Sequence, residues 1–197
     1  NLFNDSAVVL PTARHETIKT QTVSTALKYG WAWDIPLTNR TGNGYVYDSS
    51  FCSEDEAETE LRKKLGLLDS GVKARHLKMK VGRVGQHWKN NCVAIGLAQG
   101  FIEPLEATAL DIVQDTVLNF MAAYQSGGFT NKNIDLFNSR VNKRFEGVRD
   151  YIVAHYAMNS RSDTEYWRAN SEHRNWSSAL QTAINCWNNC GDMQKVL

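Results

Sequence analysis

Asn91-Cys92-Val93-Ala94-Ile95-Gly96-Leu97-Ala98-Gln99-Gly100-Phe101-Ile102-Glu103-Pro104-Leu105-Glu106-Ala107-Thr108-Ala109-Leu110 passes from an apolar run through small residues into the start of a helix. The run from Cys92 to Ile95 predicts a buried strand. The glycines behind it let another group approach the backbone closely, and Pro104 stands where a helix can begin without losing a useful donor. From Ala109 onward the inward positions fall at Ile112, Val113, Thr116, Val117, Phe120, Met121 and Tyr124, the spacing of a helix buried on one face, until Gly127-Gly128 stops it. That predicts a helix from about Glu106 to Gln125. Its first amides, near Ala107, Thr108 and Ala109, would have no carbonyl partner within the helix and would carry partial positive charge, so an anion is favoured there. Glu106, with no basic residue beside it in sequence, is either a proton acceptor or a cap complementing the helix dipole, and capping is the commoner role of such a residue.

Upstream, Gly30-Trp31-Ala32-Trp33-Asp34-Ile35-Pro36 places two indoles one residue apart, on one face of an extended segment. They make either a rigid apolar wall or the filling of a core strand, since aromatics dominate cores. Further strands are predicted around Ala7 to Leu10, Thr20 to Ile35, Tyr45 to Asp48 and Leu77 to Val81. Ser53-Glu54-Asp55-Glu56, with Ala57, Leu61 and Leu65 behind it, reads as a capping box opening an amphipathic helix. A long helix is predicted over Asn133 to Tyr156, with Phe137, Val141, Phe145, Val148 and Ile152 facing inward, and another near Trp176. The fold class expected is α+β, strand-rich over 1–105 and mainly helical over 106–197, a single incomplete domain.

Composition narrows the function classes. The chain has 197 residues, 42% hydrophobic, with a net charge of +1 at pH 7. No apolar run is long enough to cross a bilayer and no signal peptide is visible, so a soluble cytoplasmic protein without a membrane partner is expected. Cys52 and Cys92 are isolated and Cys186-x-x-x-Cys190 has no histidine at zinc-ligand spacing, so reduced thiols and no metal site are expected. Neither an H-E-x-x-H pattern nor a G-x-S-x-G elbow occurs. The basic residues near Arg62 to Lys64 and Lys73 to Lys80 alternate with apolar ones and read as solvated faces, without the charge excess that nucleic-acid binding requires.

In sequence order, W-x-W-x-I-P at 31–36 and P-L-E-A-T at 104–108 resemble the flavin-dependent halogenases, the tryptophan halogenase family. Gly44-Tyr45-Val46-Tyr47-Asp48-Ser49-Ser50-Phe51 and Asp163-Thr164-Glu165-Tyr166-Trp167-Arg168 are similar to the same family, so the likeness spans nearly the whole chain. The resemblance implies part of a flavin monooxygenase-like fold, with substrate-sheet strands followed by a helical cap. It implies that reduced FAD, supplied by a flavin reductase, and oxygen convert halide to hypohalous acid, which travels through a tunnel to an electron-rich aromatic of tryptophan, indole or phenol type. Glu106 matches the glutamate acting at that substrate. Thr108 and Ala109 match the pair whose amides hold the halide. Trp31 and Trp33, with Pro104 and Leu105, match positions at the flavin, the two indoles separating it from substrate. Tyr166 and Trp167, with Tyr156 and neighbouring His155 further along the cavity, are candidates to hold the aromatic guest, although a lone aromatic on a helix is more often core.

Three departures accompany the resemblance. The tunnel lysine of the family lies before the W-x-W-x-I-P segment and has no match here. A dinucleotide-binding G-x-G-x-x-G is missing, since Gly42-x-Gly44 is followed by Tyr47 where the third glycine belongs. With no initiator methionine at Asn1 and a still-periodic stretch at Leu197, the chain is expected to be an internal or C-terminal piece of a longer enzyme, inactive by itself. Finally, Ser162 stands where halogenases of free tryptophan carry an acid for the substrate ammonium, with Asp163 and Glu165 close by. A flavin-dependent aromatic hydroxylase of the same fold and a non-catalytic helical binding module are the alternatives, and self-association is left open.

Overall fold

The computed structural model describes residues 2–18 and 20–195, with side chains described through residue 194. Its residues fall into two compact units, one made by 2–80 together with 159–173, the other by 81–158 together with 174–197. In the first, β1 (Ser6–Thr12), β2 (Val23–Leu27), β3 (Gly30–Pro36), β4 (Thr41–Tyr47) and β5 (Arg75–Lys78) form one sheet in the order β2-β3-β4-β1-β5. Its four strand pairings are all antiparallel. The strand expected over Thr20 to Ile35 is therefore two strands: the chain reverses at Lys28-Tyr29, Leu27 pairs with Gly30, and the Tyr29 amide donates to the Tyr45 hydroxyl (2.8 Å). Gly30 makes the reversal possible. At φ 157° it lies 1.9 Å, measured from an ideal Cβ, from the Val46 carbonyl oxygen, so no side chain fits.

One face of this sheet buries Val8, Leu10, Ala32, Tyr45 and Tyr47 against Cys52, Ala57 and Leu61, the last two on α1 (Glu54–Leu65). The capping box predicted at Ser53 is formed: the Ser53 hydroxyl accepts from the Glu56 amide (3.3 Å), and the Glu56 carboxylate accepts from the Ser53 amide (2.9 Å). Acidic residues occupy the first turn of α1 and Arg62, Lys63 and Lys64 its last, complementing the dipole, and Gly66 at φ 69° ends it. Burial, then the nearby Glu56 and Glu60 carboxylates, push the Cys52 thiol up to about 12, so it stays protonated. Residues 159–173 return to this unit and contribute α4 (Glu165–Glu172).

The second unit is mainly helical. Two short ribbons, β6 (Gly82–Arg83) with β9 (Gly100–Phe101) and β7 (Trp88–Lys89) with β8 (Cys92–Val93), precede α2 (Ala109–Ser126), α3 (Ile134–Ala157) and α5 (Ser178–Asn188). The predicted buried strand Cys92 to Ile95 is not formed. Only Cys92 and Val93 pair, Cys92 is exposed and Ile95 is 38% exposed, because left-handed Asn90 and Gly96 turn the chain on both sides. Helix α2 begins at Ala109 rather than Glu106, after a 3₁₀ turn over Leu105–Ala107. It buries Ile112, Thr116 and Ala123, whereas Met121, expected inside, is 59% exposed. Gly127 and Gly128 end it as predicted. The inward positions of α3 are as predicted, Phe137, Val141, Phe145, Val148 and Ile152 all being buried.

Trp88 anchors this unit. It is 3% exposed and meets Phe120, Tyr124 and Phe137 edge-on, with centroids at 5.0, 6.1 and 5.7 Å. Buried Asn138 accepts from the amides of His87 and Trp88 (both 2.8 Å) and donates to the Trp88 carbonyl (2.9 Å), tying the short ribbon to α3. The His87 ring stacks on Phe145 at 5.4 Å, and burial pushes its pKa below the ordinary imidazole value, so neutral Nε2–H donates to the Asn142 side-chain carbonyl (2.9 Å). Among the described residues no helix is long and apolar enough to cross a membrane.

Candidate active site

In the second unit, the segment Glu103 to Ala109 owes its geometry to two consecutive left-handed residues, Glu106 at φ 66° and Ala107 at φ 53°. Neither is glycine, and such conformations persist in L-residues only where surrounding structure enforces them, a form of strain that clusters at functional sites. Here the enforcement is visible. Buried Glu103 accepts a short hydrogen bond from the Tyr156 hydroxyl, Pro104 begins the turn, and the Ala107 amide donates to the Pro104 carbonyl (3.0 Å). One of the three amides expected to be free, that of Ala107, is thus engaged within the turn. The Thr108 carbonyl accepts from Ile112 (3.0 Å) to open α2, while the Thr108 hydroxyl makes no capping bond.

Thr108 and Ala109 line a cavity of about 210 Å³ whose walls are mostly apolar, with Gly96, Gly100, Ile112 and Phe145 among the lining residues. Glu106 does not cap α2, which starts three residues later. Its side chain is 45% exposed, with Oε1 3.7 Å from His155 Nε2 on α3. The carboxylate is therefore neither sunk in hydrocarbon nor tied to a hydrogen-bond partner on its own turn, and it can accept a proton from a group placed over it. Tyr156, a candidate to hold the aromatic guest, is buried with its hydroxyl on Glu103, and neighbouring His155 faces Glu106. Their partners, Glu106 and Glu103, lie 49 and 53 positions earlier, a separation that no local pattern reveals.

Trp31, Trp33, Tyr166 and Trp167 belong to the first unit. Trp31 and Trp33 lie on the same side of β3, ring centroids 6.0 Å apart, Trp31 being 6% exposed and Trp33 half-buried. Trp33 pairs across the sheet with Gly44, where an ideal Cβ would stand 2.1 Å from the indole. The missing side chain seats the ring flat on β4. Gly44→Ala is expected to lower stability by about 1–3 kcal/mol through overpacking and to move Trp33. Denaturant unfolding and tryptophan fluorescence check both effects, and an unchanged emission spectrum would show that the ring is not seated by this contact.

Tyr166 is fully enclosed. Its hydroxyl donates to Asn4 Oδ1 (2.9 Å), and its ring packs edge-on against Phe51 and Trp167 at 5.8 and 5.0 Å. In this arrangement it is a core residue with no face left for a guest. Trp167, 5% exposed, donates through Nε1 to the Leu27 carbonyl (2.8 Å), with the Arg161 guanidinium 5.0 Å from the ring. Arg161 also grips Asp163 in a fork of 2.9 and 2.7 Å, which holds the Asp163 carboxyl below its ordinary pKa. That carboxylate already has its cation, and Glu165 opens α4. Asp163 is thus committed to Arg161 rather than open to an ammonium group.

A profile of the family described as tryptophan halogenase matches residues 1–196. The chain is 38% identical over 189 residues to the 7-chloro-L-tryptophan 6-halogenase of Kutzneria sp. (strain 744), covering 94% of this chain and 36% of that protein. It is 40% identical to the tryptophan 6-halogenase of Streptomyces toxytricini, with the same coverage. The crystal structure of that enzyme superposes with a TM-score of 0.86 over 93% of this chain and 36% of its own. A flavin-dependent halogenase from Brevundimonas sp. BAL3, 36% identical, also gives 0.86 over 94% of this chain and 38% of its own. The chain therefore spans little more than a third of the length of these relatives. Profile, relatives and solved structures together place this chain in the tryptophan halogenase family.

Proposed function

We propose that this chain is the part of a flavin-dependent halogenase that presents a general base, Glu106, to an electron-rich aromatic ring, with halide held at Thr108 and Ala109. The observation that carries this reading is the left-handed Glu106-Ala107 pair, which sets Glu106 in a turn ahead of α2 with its carboxylate half-exposed, and an anion at the opening amides of α2 is the proposed counterpart. Family membership supports the same assignment. FAD, reduced by a separate cytoplasmic flavin reductase, would supply the oxidising equivalents that turn halide into hypohalous acid. The apolar cavity at Thr108 and Ala109 fits an anion next to a flat apolar surface, because small side chains there leave room and exclude water. By family likeness Pro104 and Leu105, with Trp31 and Trp33, are the proposed flavin contacts, the two indoles screening cofactor from substrate.

Chain residues then perform two tasks. The α2 dipole and the Thr108 and Ala109 amides concentrate halide. Glu106 takes the ring proton as the carbon–halogen bond forms, so that arene and hypohalous acid become haloarene and water. The substrate class is tryptophan or a related indole or phenol.

The direct test uses the whole enzyme containing this chain, a flavin reductase, NADH, oxygen and either chloride or bromide, with product mass read for an aromatic panel. Halide-dependent incorporation of chlorine or bromine is expected. Oxygen incorporation that is indifferent to halide would make the protein a hydroxylase, and no turnover with any aromatic would leave the binding module as its function.

A further inference from the structure

We propose that His155 is a positioning residue and proton relay for Glu106, an assignment that rests on the general-base reading above. The imidazole is pinned from two sides. Its Nδ1 lies 2.8 Å from the Tyr151 carbonyl oxygen one turn earlier on α3, and the Tyr151 ring meets it edge-on at 4.7 Å, 87° between planes. A carbonyl oxygen only accepts, so Nδ1 carries the hydrogen and the free lone pair of the neutral ring is on Nε2. That atom faces Glu106 Oε1 at 3.7 Å. Nε2 can accept from Glu106 once the carboxyl holds the ring proton, and a small side-chain rotation then brings the pair to hydrogen-bond distance.

The groups around the ring restrict what it can do. Glu106 and Tyr151 are the titratable side chains in contact with it among the described residues. The next charged residues along α3, Arg149 and Asp150, are paired with each other at 2.8 Å, and Asp150 also accepts from the Ser177 hydroxyl (2.5 Å). No cation competes with His155 for Glu106 in these contacts. With side chains 36% and 45% exposed, both partners also reach solvent.

The proton balance is simple. The ring C–H bond breaks and an O–H bond forms on Glu106. That O–H then breaks as Nε2–H forms, giving an imidazolium beside a regenerated carboxylate, and the imidazolium returns its proton to water. No oxidant is consumed in these steps. Glu106 thus regains its charge for the next turnover through His155 as well as through its own exposed face.

The test compares wild type, His155→Phe and His155→Ala in the whole enzyme. Phenylalanine keeps the ring but has no nitrogen, so kcat is expected to fall about tenfold with the KM for the aromatic substrate nearly unchanged. Added imidazole is expected to restore turnover of His155→Ala in a concentration-dependent way. A wild-type kcat in His155→Phe, or a folded His155→Ala protein that imidazole does not rescue, overturns the relay. Failure of the unmodified enzyme to halogenate any aromatic would instead overturn the general-base reading, and the relay with it.

Discussion

Glu106→Gln is expected to lower halogenation by about 10²–10⁴-fold, the ordinary worth of a positioned general base, while flavin reoxidation and oxygen consumption continue. The substitution keeps the size of the side chain and is compatible with the left-handed backbone at φ 66°, which residues 103–109 enforce through the Glu103–Tyr156 bond and the Pro104–Ala107 turn. What it removes is an oxygen that can hold a proton. Oxidant made upstream of this step would then decay unused, so the ratio of halogenated product to oxygen consumed should collapse. Product by mass spectrometry and oxygen by electrode, measured in the same reaction, read that ratio. Undiminished product would remove Glu106 from the chemistry and return it to an ordinary residue of a strained turn. Equal loss of oxygen consumption would mean that the substitution had damaged the flavin site instead.

Trp88→Ala is expected to cost about 3–5 kcal/mol of stability, the largest structural effect of any single change proposed. The indole is nearly inaccessible, and Phe120, Tyr124 and Phe137 all present edges to it, so truncation opens a cavity bounded by three rigid rings that cannot easily collapse. Its Nε1–H also satisfies the carbonyl of left-handed Asn90 at 3.1 Å. Denaturant unfolding of the variant beside wild type measures the loss. A change below about 1 kcal/mol would show that the aromatic cluster repacks freely.

Reading the chain before its structure succeeds where a feature is local. The capping box at Ser53 needs two residues three apart, and α3 needs only its inward stripe from Phe137 to Ile152, so both are legible without tertiary information. The paired indoles of β3 follow from the two-residue period in the same way. Failures have an equally physical origin. Lys28-Tyr29 carries no glycine between its two residues to mark a hairpin, and the turn is closed by the buried Tyr45 hydroxyl from a strand not yet reached in sequence. Glu106 looks like the first residue of a helix because left-handed φ at a glutamate and an alanine has no compositional sign. Tyr166 and Trp167 look available because nothing near them in sequence shows that Asn4, Leu27 and Phe51 will enclose them.

The amino-acid order by itself determined the family, the identity of the candidate base and the places where helices begin with caps, because motifs and capping depend on groups within a few residues of one another. Tertiary structure decided which of those groups is usable. It alone brings His155 to Glu106 and Tyr156 to Glu103, and it returns residues 159–173 to a sheet whose hairpin turn they grip through Leu27 and Lys28. The reason is that burial and long-range hydrogen bonding are set by where distant segments meet. A carboxylate becomes a base or a strut according to which of them encloses it.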